Sequence, residues 1–180
     1  MSLITTGVGV VGIAGYKRSG KDTFCSALNG NFSKVARLAI ADEIKRELAK
    51  FLGVTLMRIE KYKEPYYRKP LQDLGTARRR IDENYWLTKL CDQIQDALDC
   101  GAHIVVPDVR MPLEAQRLRE RFGAKIVRLH REDQGEIDDD DTERFVDSVE
   151  VDETYSCGSP EEVSKRAQEF GADVLGWELR

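Results

Sequence analysis

The chain has 180 residues, a length that suits one domain, and 41% of them are hydrophobic, enough for a packed core. Lysine and arginine number 28 against 32 aspartates and glutamates, and the net charge of −4 speaks against a chain built to coat nucleic acid or an anionic membrane. No apolar run reaches the ~18 residues that span a bilayer. The four cysteines and two histidines are too scattered for a zinc site or a Ser/His/Asp triad, and they read as free thiols in a reducing cytosol and isolated imidazoles.

Residues 7–14, Gly-Val-Gly-Val-Val-Gly-Ile-Ala, are apolar on both faces, which predicts a central strand of a parallel sheet. No basic segment precedes them, so Met1 to Gly15 is read as a buried strand and not as a signal peptide. The segment Gly15-Tyr16-Lys17-Arg18-Ser19-Gly20-Lys21-Asp22-Thr23 follows, then a helical pattern from Phe24 to Leu28. A second strand is predicted over Val35 to Leu38, then a helix with Ile44, Leu48, Phe51 and Leu52 on its apolar face.

Thr55 to Arg80 reads as mostly helical, interrupted at Pro65 and Pro70, and strongly basic, with Tyr62, Tyr66 and Tyr67 interleaved. Asn84 to Leu98 carries Trp86, Leu87, Leu90, Ile94 and Leu98 at roughly helical spacing. Ala102 to Val106 predicts a third strand ending in Pro107-Asp108-Val109-Arg110, and Pro112 opens a helix to about Phe122, where its missing N–H costs little. Lys125 to Leu129 predicts a fourth strand. Residues 132–153, with Asp138 to Asp141 in a row and few apolar side chains, predict a mobile loop or short helical lid. After a weak strand near Thr154 to Ser156, Ser159-Pro160-Glu161-Glu162 is a helix start, with serine at the cap, proline first and glutamate third.

Strands alternating with helices at this spacing predict an α/β fold with a parallel sheet of about five strands between two helical layers. Ligands in such sheets sit beyond the C-terminal strand ends. Gly15–Thr23, Asp108–Arg110 and Arg128–Arg131 all follow predicted strands, so the fold brings them to one edge.

Residues 15–21 read Gly-x4-Gly-Lys between a strand and a helix, the setting of a phosphate-binding loop. Glycines let the main chain wrap closely with N–H groups inward, the helix adds its positive dipole end, and Lys21 reaches the outer phosphates. The residue after the lysine is Asp22 and not the usual serine or threonine; the hydroxyl comes at Thr23. Asp22 is a candidate for Mg²⁺, with a carboxylate meeting the helix dipole as the plainer reading. Lys17 and Arg18 add positive charge. No Asn-Lys-x-Asp string marks a GTPase, and a small chain with one such loop, a basic middle segment and an arginine-bearing mobile lid suggests a kinase of a small acceptor.

Several segments together resemble the phage-type deoxynucleoside monophosphate kinases, within the P-loop nucleoside and nucleotide kinase group. They are the Gly15–Thr23 loop with its Asp-Thr ending, Ala41-Asp-Glu-Ile-Lys45, Leu71-Gln-Asp-Leu-Gly-Thr76 with Arg68-Lys69 ahead and Tyr85-Trp86 behind, Asp108-Val-Arg110 followed by Glu114-Ala115, and Gly158-Ser-Pro-Glu-Glu-Val163. The resemblance implies a P-loop NTPase three-layer α/β/α sandwich, one domain over residues 1–180. It would carry a helical acceptor-binding insert near 55–100 and a mobile lid near 131–153.

The resemblance also implies transfer of the ATP γ-phosphoryl group to a deoxynucleoside 5′-monophosphate, with Mg²⁺. Lys21 and Arg131 would act on the transferring group. Gly15, Lys17, Arg18, Ser19, Gly20, Lys21, Asp22 and Thr23 would hold ATP. Asp108, with Asp22, would hold Mg²⁺ through water, or else lock Arg110 in an ion pair. Arg68 and Arg110 would grip the acceptor phosphate, with Lys45 a lesser candidate, and Gln72 and Thr76 would read base or sugar. Trp86 and Tyr85 read first as core. The histidine that the family places shortly before its Thr-Glu pair, here Thr142-Glu143, is absent. The remaining expectations are a cytoplasmic protein acting on a small molecule, without membrane or nucleic-acid partner, alone or as a homodimer. The rival readings are a dephospho-coenzyme A or phosphomevalonate kinase, and a nucleotide- or nucleic-acid-binding module using the basic, tyrosine-rich stretch 58–80.

Overall fold

A computed structural model of the chain describes residues 9–132 and 145–179. The chain divides into two compact units, Met1–Leu38 with Ile94–Arg180, and Ala39–Gln93.

The first unit is built on a five-stranded sheet of β1 (Val10–Ala14), β2 (Val35–Arg37), β3 (His103–Val109), β4 (Lys125–Arg131) and β5 (Glu153–Cys157). Every pairing is parallel and the order is β2-β3-β1-β4-β5. All five residues of β1 are buried, as a central strand covered on both sides requires. Val11 and Ile13 face a core completed by Phe24 and Leu28 of α1 (Lys21–Asn31), Val163 and Ala167 of α7 (Pro160–Glu169), and Phe32 and Phe170. Each fully buried Phe or Leu there contributes roughly 1.5–3 kcal/mol. Gly12 points to the other face, where a Cβ would stand 3.6 Å from Leu118 of α6 (Pro112–Phe122). The sheet is therefore layered between helices on both faces, the expected α/β/α arrangement.

The third strand runs further than its apolar stretch predicts. Gly12 pairs with Val106 but Ala14 pairs with Val109, so β3 carries one extra residue at Pro107-Asp108. A proline cannot complete the ladder, and the resulting bulge leaves Asp108 half-buried in an otherwise buried strand. The helix start at Ser159 is as expected: Ser159 Oγ accepts from the Glu162 N–H at 3.2 Å.

Of the stretch expected as a lid, residues 131–132 and 145–153 are described. Val146 and Val149 are buried, Val146–Ser148 forms a short 3₁₀ turn, and the Asp152 carboxylate accepts from the Ile126 N–H at 2.8 Å. The Asp152 bond ties this segment to β4. Asp138 to Asp141 and the Thr142-Glu143 pair lie outside the described residues.

The second unit comprises α2 (Ile40–Leu52), α3 (Leu56–Lys61), α4 (Arg68–Ile81) and the first part of α5 (Tyr85–Asp99). Leu48, Ala49, Ile59 and Leu71 form its core. Phe51, expected on the apolar face of α2, is 83% exposed. The buried pair Leu48–Ala49 turns the inward face away from it. The helical run breaks at Glu64, which is extended (φ −101°, ψ 133°) ahead of Pro65. Pro70 causes no break, because it occupies the first turn of α4, where no intrahelical donor is needed. Trp86 is core, 1% exposed, and donates its indole N–H to the Gly75 carbonyl at 3.1 Å. No helix among the described residues is long and apolar enough to cross a membrane.

Candidate active site

The loop from Gly15 to Gly20 joins the C-terminal end of β1 to the start of α1. Gly15 has φ +150°, and a Cβ there would stand 2.5 Å from Ser19 Oγ and 2.7 Å from the Leu129 carbonyl. Gly20 has φ +95° immediately before the helix. Both positions need glycine, for clearance at the first and for a left-handed turn at the second. Arg18 also has positive φ, at 65°. Within this wrap Lys21 Nζ donates to the Gly15 carbonyl at 2.7 Å, to the Tyr16 carbonyl, and to Ser19 Oγ at 3.4 Å. Ser19 is buried at 2% exposure.

A cavity of about 300 Å³ opens at this loop. Residues 18–23 and Arg131 line it, as does a segment not anticipated as part of the site, Cys157–Pro160 with Val163. The signal for that segment is its repetition of the strand, glycine-bearing turn and helix order of β1 to α1. The N-termini of α1 and α7 thus border one cavity, together with the cations Arg18, Lys21 and Arg131. Two positive dipole ends and three cationic side chains make it an anion site suited to a polyphosphate. Glu162 Oε2 accepts from the Gly158 N–H at 3.0 Å, one residue ahead of the Ser159 cap, and so ties the preceding turn to the start of α7. Lys17 is exposed and does not line the cavity.

Asp22 lines the cavity, whereas Asp108, at the β3 bulge, is not among the residues that line it. Burial pushes the Cys25 thiol up to about 12, with Arg37 pulling it down, Asp22 and Asp108 raising it further and Lys21 lowering it. Among the described residues no three His, Cys, Asp or Glu gather into a metal cage. Asp22 and the half-buried Thr23 hydroxyl at the cavity are oxygen donors of the kind that a hard cation keeping several waters and taking phosphate oxygens, as Mg²⁺ does, would use. Arg110 follows the bulge and is half-buried; its N–H donates to Glu114 Oε2 at 2.8 Å. Glu114, 6% exposed, also accepts from the Met111 N–H at 3.1 Å and so fixes the turn into α6. Arg128 reaches away from any ligand role: its Nη2 donates to the carbonyls of Val146 at 3.0 Å, Asp147 at 3.3 Å and Val149 at 2.5 Å.

The remaining candidates lie in the second unit. Arg68, Gln72 and Thr76 are four apart on α4 and share one stripe, while Leu71 and Gly75, one position before the latter two, are buried. Gln72 and Thr76 are exposed, and Arg68 pairs with Glu64 at 2.7 Å. Lys45 is engaged by Asp42 at 2.9 Å and Glu60 at 2.7 Å. Burial lowers its pKa, but the bonds from Glu60 and Asp42 outweigh that and hold it above the usual lysine value. Its two acidic partners make Lys45 a link between α2 and α3. Tyr85 donates to Glu47 Oε2 at 2.7 Å, which gives it a structural place beside Trp86.

Residues 13–124 match the family described as phosphomevalonate kinase. No curated protein matches the chain. A solved, unliganded structure of a sugar kinase from Janibacter sp. HTCC2649 superposes with a TM-score of 0.49 at 16% identity, covering 89% of this chain and 92% of that one.

Proposed function

This chain belongs to the phosphomevalonate kinase family, and from that premise we propose that it moves the γ-phosphoryl group of ATP onto a phosphate monoester, with a deoxynucleoside 5′-monophosphate as acceptor. The observation that carries the donor half is the cavity at Gly15–Thr23, where Lys21, Arg18 and Arg131 meet two helix N-termini. A triphosphate is the ligand that such a concentration of positive charge selects.

A monoester acceptor is already largely dianionic near neutral pH, so the chemistry needs little general-base help. It needs positioning and charge cancellation. Lys21, seated by loop carbonyls, neutralises charge on the transferring group, and Arg131 does the same from the end of β4. Asp22 and Asp108 would hold Mg²⁺ through water, and the ion would supply further neutralisation of the phosphate charge. Gly15, Ser19, Gly20 and Thr23 shape the phosphate seat, with Lys17 contributing charge from outside the cavity. Arg68 would bind the acceptor phosphate through paired guanidinium bonds, and Gln72 and Thr76, on the same stripe of α4, would read the rest of the acceptor. The sequence likeness of Leu71–Thr76 and Tyr85-Trp86 to deoxynucleotide kinases supports this acceptor.

Phosphomevalonate is the second reading, favoured by the family match over residues 13–124. It presents the same reactive group, so the donor half of the site is unchanged. The test is a panel of acceptors with ATP and Mg²⁺: the four deoxynucleoside monophosphates, their ribose counterparts, phosphomevalonate and dephospho-coenzyme A. Diphosphate formation from a deoxynucleotide is expected. Turnover of phosphomevalonate with every nucleotide untouched would replace the acceptor.

A further inference from the structure

Tyr16 is the second residue of the phosphate loop and does not line the cavity. Its ring is buried at 8% exposure, and its hydroxyl donates to Asp147 Oδ2 at 2.5 Å, across 131 positions of sequence. A hydroxyl donating to a carboxylate is among the stronger neutral-to-charged hydrogen bonds. Its main-chain carbonyl accepts from Lys21 Nζ and from the Ser19 N–H, the latter at 3.2 Å. One residue thus carries the seat of the Lys21 ammonium at its main chain and a tether to a distant turn at its side chain.

The far end of the tether is itself fixed. Asp147 sits in the Val146–Ser148 turn, whose flanking Val146 and Val149 are buried. The three carbonyls around it take the Arg128 guanidinium. Arg128 is the register partner of Ala14, the last residue of β1, two positions before Tyr16. The path from Ala14 through Tyr16, Asp147, the turn and Arg128 therefore closes on Ala14 again. A closed ring of this kind removes the freedom of the loop main chain that an open turn would keep. The ring meets the cavity through Lys21, a lining residue whose ammonium donates to the Tyr16 carbonyl.

We propose that Tyr16 and Asp147 are positioning residues, held by Arg128, that set the carbonyl seating Lys21 and thereby pre-arrange the ammonium for the triphosphate. The proposal rests on the reading of the cavity as the ATP site and is independent of the acceptor.

The experiment measures ATP affinity by calorimetry without any acceptor. It compares the wild type, Tyr16→Phe, Asp147→Ala and Asp147→Asn, and it repeats Tyr16→Phe in a Lys21→Ala background. Removing the hydroxyl or the carboxylate is expected to weaken ATP binding by about three- to tenfold, the size of one lost hydrogen bond to a charged partner acting at second hand. Asp147→Asn keeps an oxygen that accepts the tyrosine proton and is expected to stay within about twofold of the wild type. In the Lys21→Ala background Tyr16→Phe is expected to change nothing further, because there is no ammonium left to place. A merely structural tether would weaken binding equally in both backgrounds, and that result overturns the proposal. So does an unchanged affinity in Tyr16→Phe, or an Asp147→Asn variant as weak as Asp147→Ala. A wild-type chain that does not bind ATP removes the ATP reading itself, a different outcome from these. A changed acceptor leaves the experiment intact.

Discussion

The Lys21 ammonium donates to the Gly15 carbonyl at 2.7 Å, six residues back along the loop that it closes. The contact holds the charge at the cavity without covering it, because Lys21 still lines that space. Lys21→Ala is expected to lower kcat by several hundred-fold, since one lost transition-state charge contact costs ~3–4 kcal/mol by analogy with other electrostatic stabilisers. Steady-state kinetics with saturating ATP checks this, and a kcat within a few-fold of the wild type would remove Lys21 from the chemistry.

Gly15→Ala places a methyl where Ser19 Oγ and the Leu129 carbonyl already stand, at a φ of +150° that side chains seldom adopt. The Leu129 carbonyl belongs to β4 and cannot swing aside, so the loop itself must move. ATP binding is expected to fall at least tenfold, with a lowered melting temperature, because a strained main chain of this kind costs roughly 1–3 kcal/mol. Calorimetric titration with ATP and thermal unfolding of the same variant provide the two readings.

In the second unit Glu47 joins three elements. One oxygen accepts from Arg78 at 2.7 Å, and the other accepts from Tyr85 at 2.7 Å and Lys89 at 2.9 Å. Burial pushes this carboxyl up, but the bonds from Tyr85, Lys89 and Arg78 win and hold it at about 2, against 4.5 ordinarily. The unfolded chain therefore takes up the proton first on acidification. The stabilisation is present above 4.5 and is lost as pH falls from 4.5 toward about 2. Glu47→Gln is expected to be less stable at neutral pH and to show a flatter loss across that window. Urea midpoints from neutral to acid pH test the slope.

What was legible in the sequence was local. The strands follow from runs of Val and Ile, the loop from its glycines, and the α7 cap from Ser159 and Glu162, whose partners lie within a few residues. The Tyr16–Asp147 bond and the Arg128 clamp were not legible, because both depend on which strands become neighbours. Nor was the contribution of Cys157–Pro160 to the cavity, although its strand–turn–helix order echoes the first one. Pro107 did carry a hint of the bulge at Asp108, since proline inside a strand pattern breaks the ladder. On α2 the apolar spacing included Phe51, and only the rotation set by Leu48 and Ala49 shows it exposed.

Arg68 is 38% exposed at its side chain and its partner Glu64 is 59% exposed, so their pair contributes little to folding, about 0–1 kcal/mol. Arg68→Ala is thus expected to leave the melting temperature nearly unchanged. Loss of a charged hydrogen bond to the acceptor phosphate is expected to raise the acceptor KM by about ten- to a hundredfold while the ATP KM stays put. An unchanged acceptor KM with a raised ATP KM would move Arg68 to the donor side.

His103 stacks on Trp177 with ring centres 4.2 Å apart, and its Nδ1 accepts from the Gly9 N–H at 3.3 Å. Burial lowers its pKa below the ordinary 6.5. Protonation would put the ring's second N–H at Nδ1, facing the Gly9 donor, and a charge in a buried site. The folded chain refuses the proton that the unfolded chain accepts, so stability is lost as pH falls below 6.5 and the loss ends once the folded imidazole itself titrates. His103→Gln keeps an acceptor for Gly9 but does not titrate. It is expected to start less stable, having lost the ring stacking, and to lose nothing through the same mildly acidic range. Chemical denaturation of both proteins from pH 7.5 to 5.5, in steps of about half a unit, separates the imidazole from the carboxylates, whose own titration begins lower.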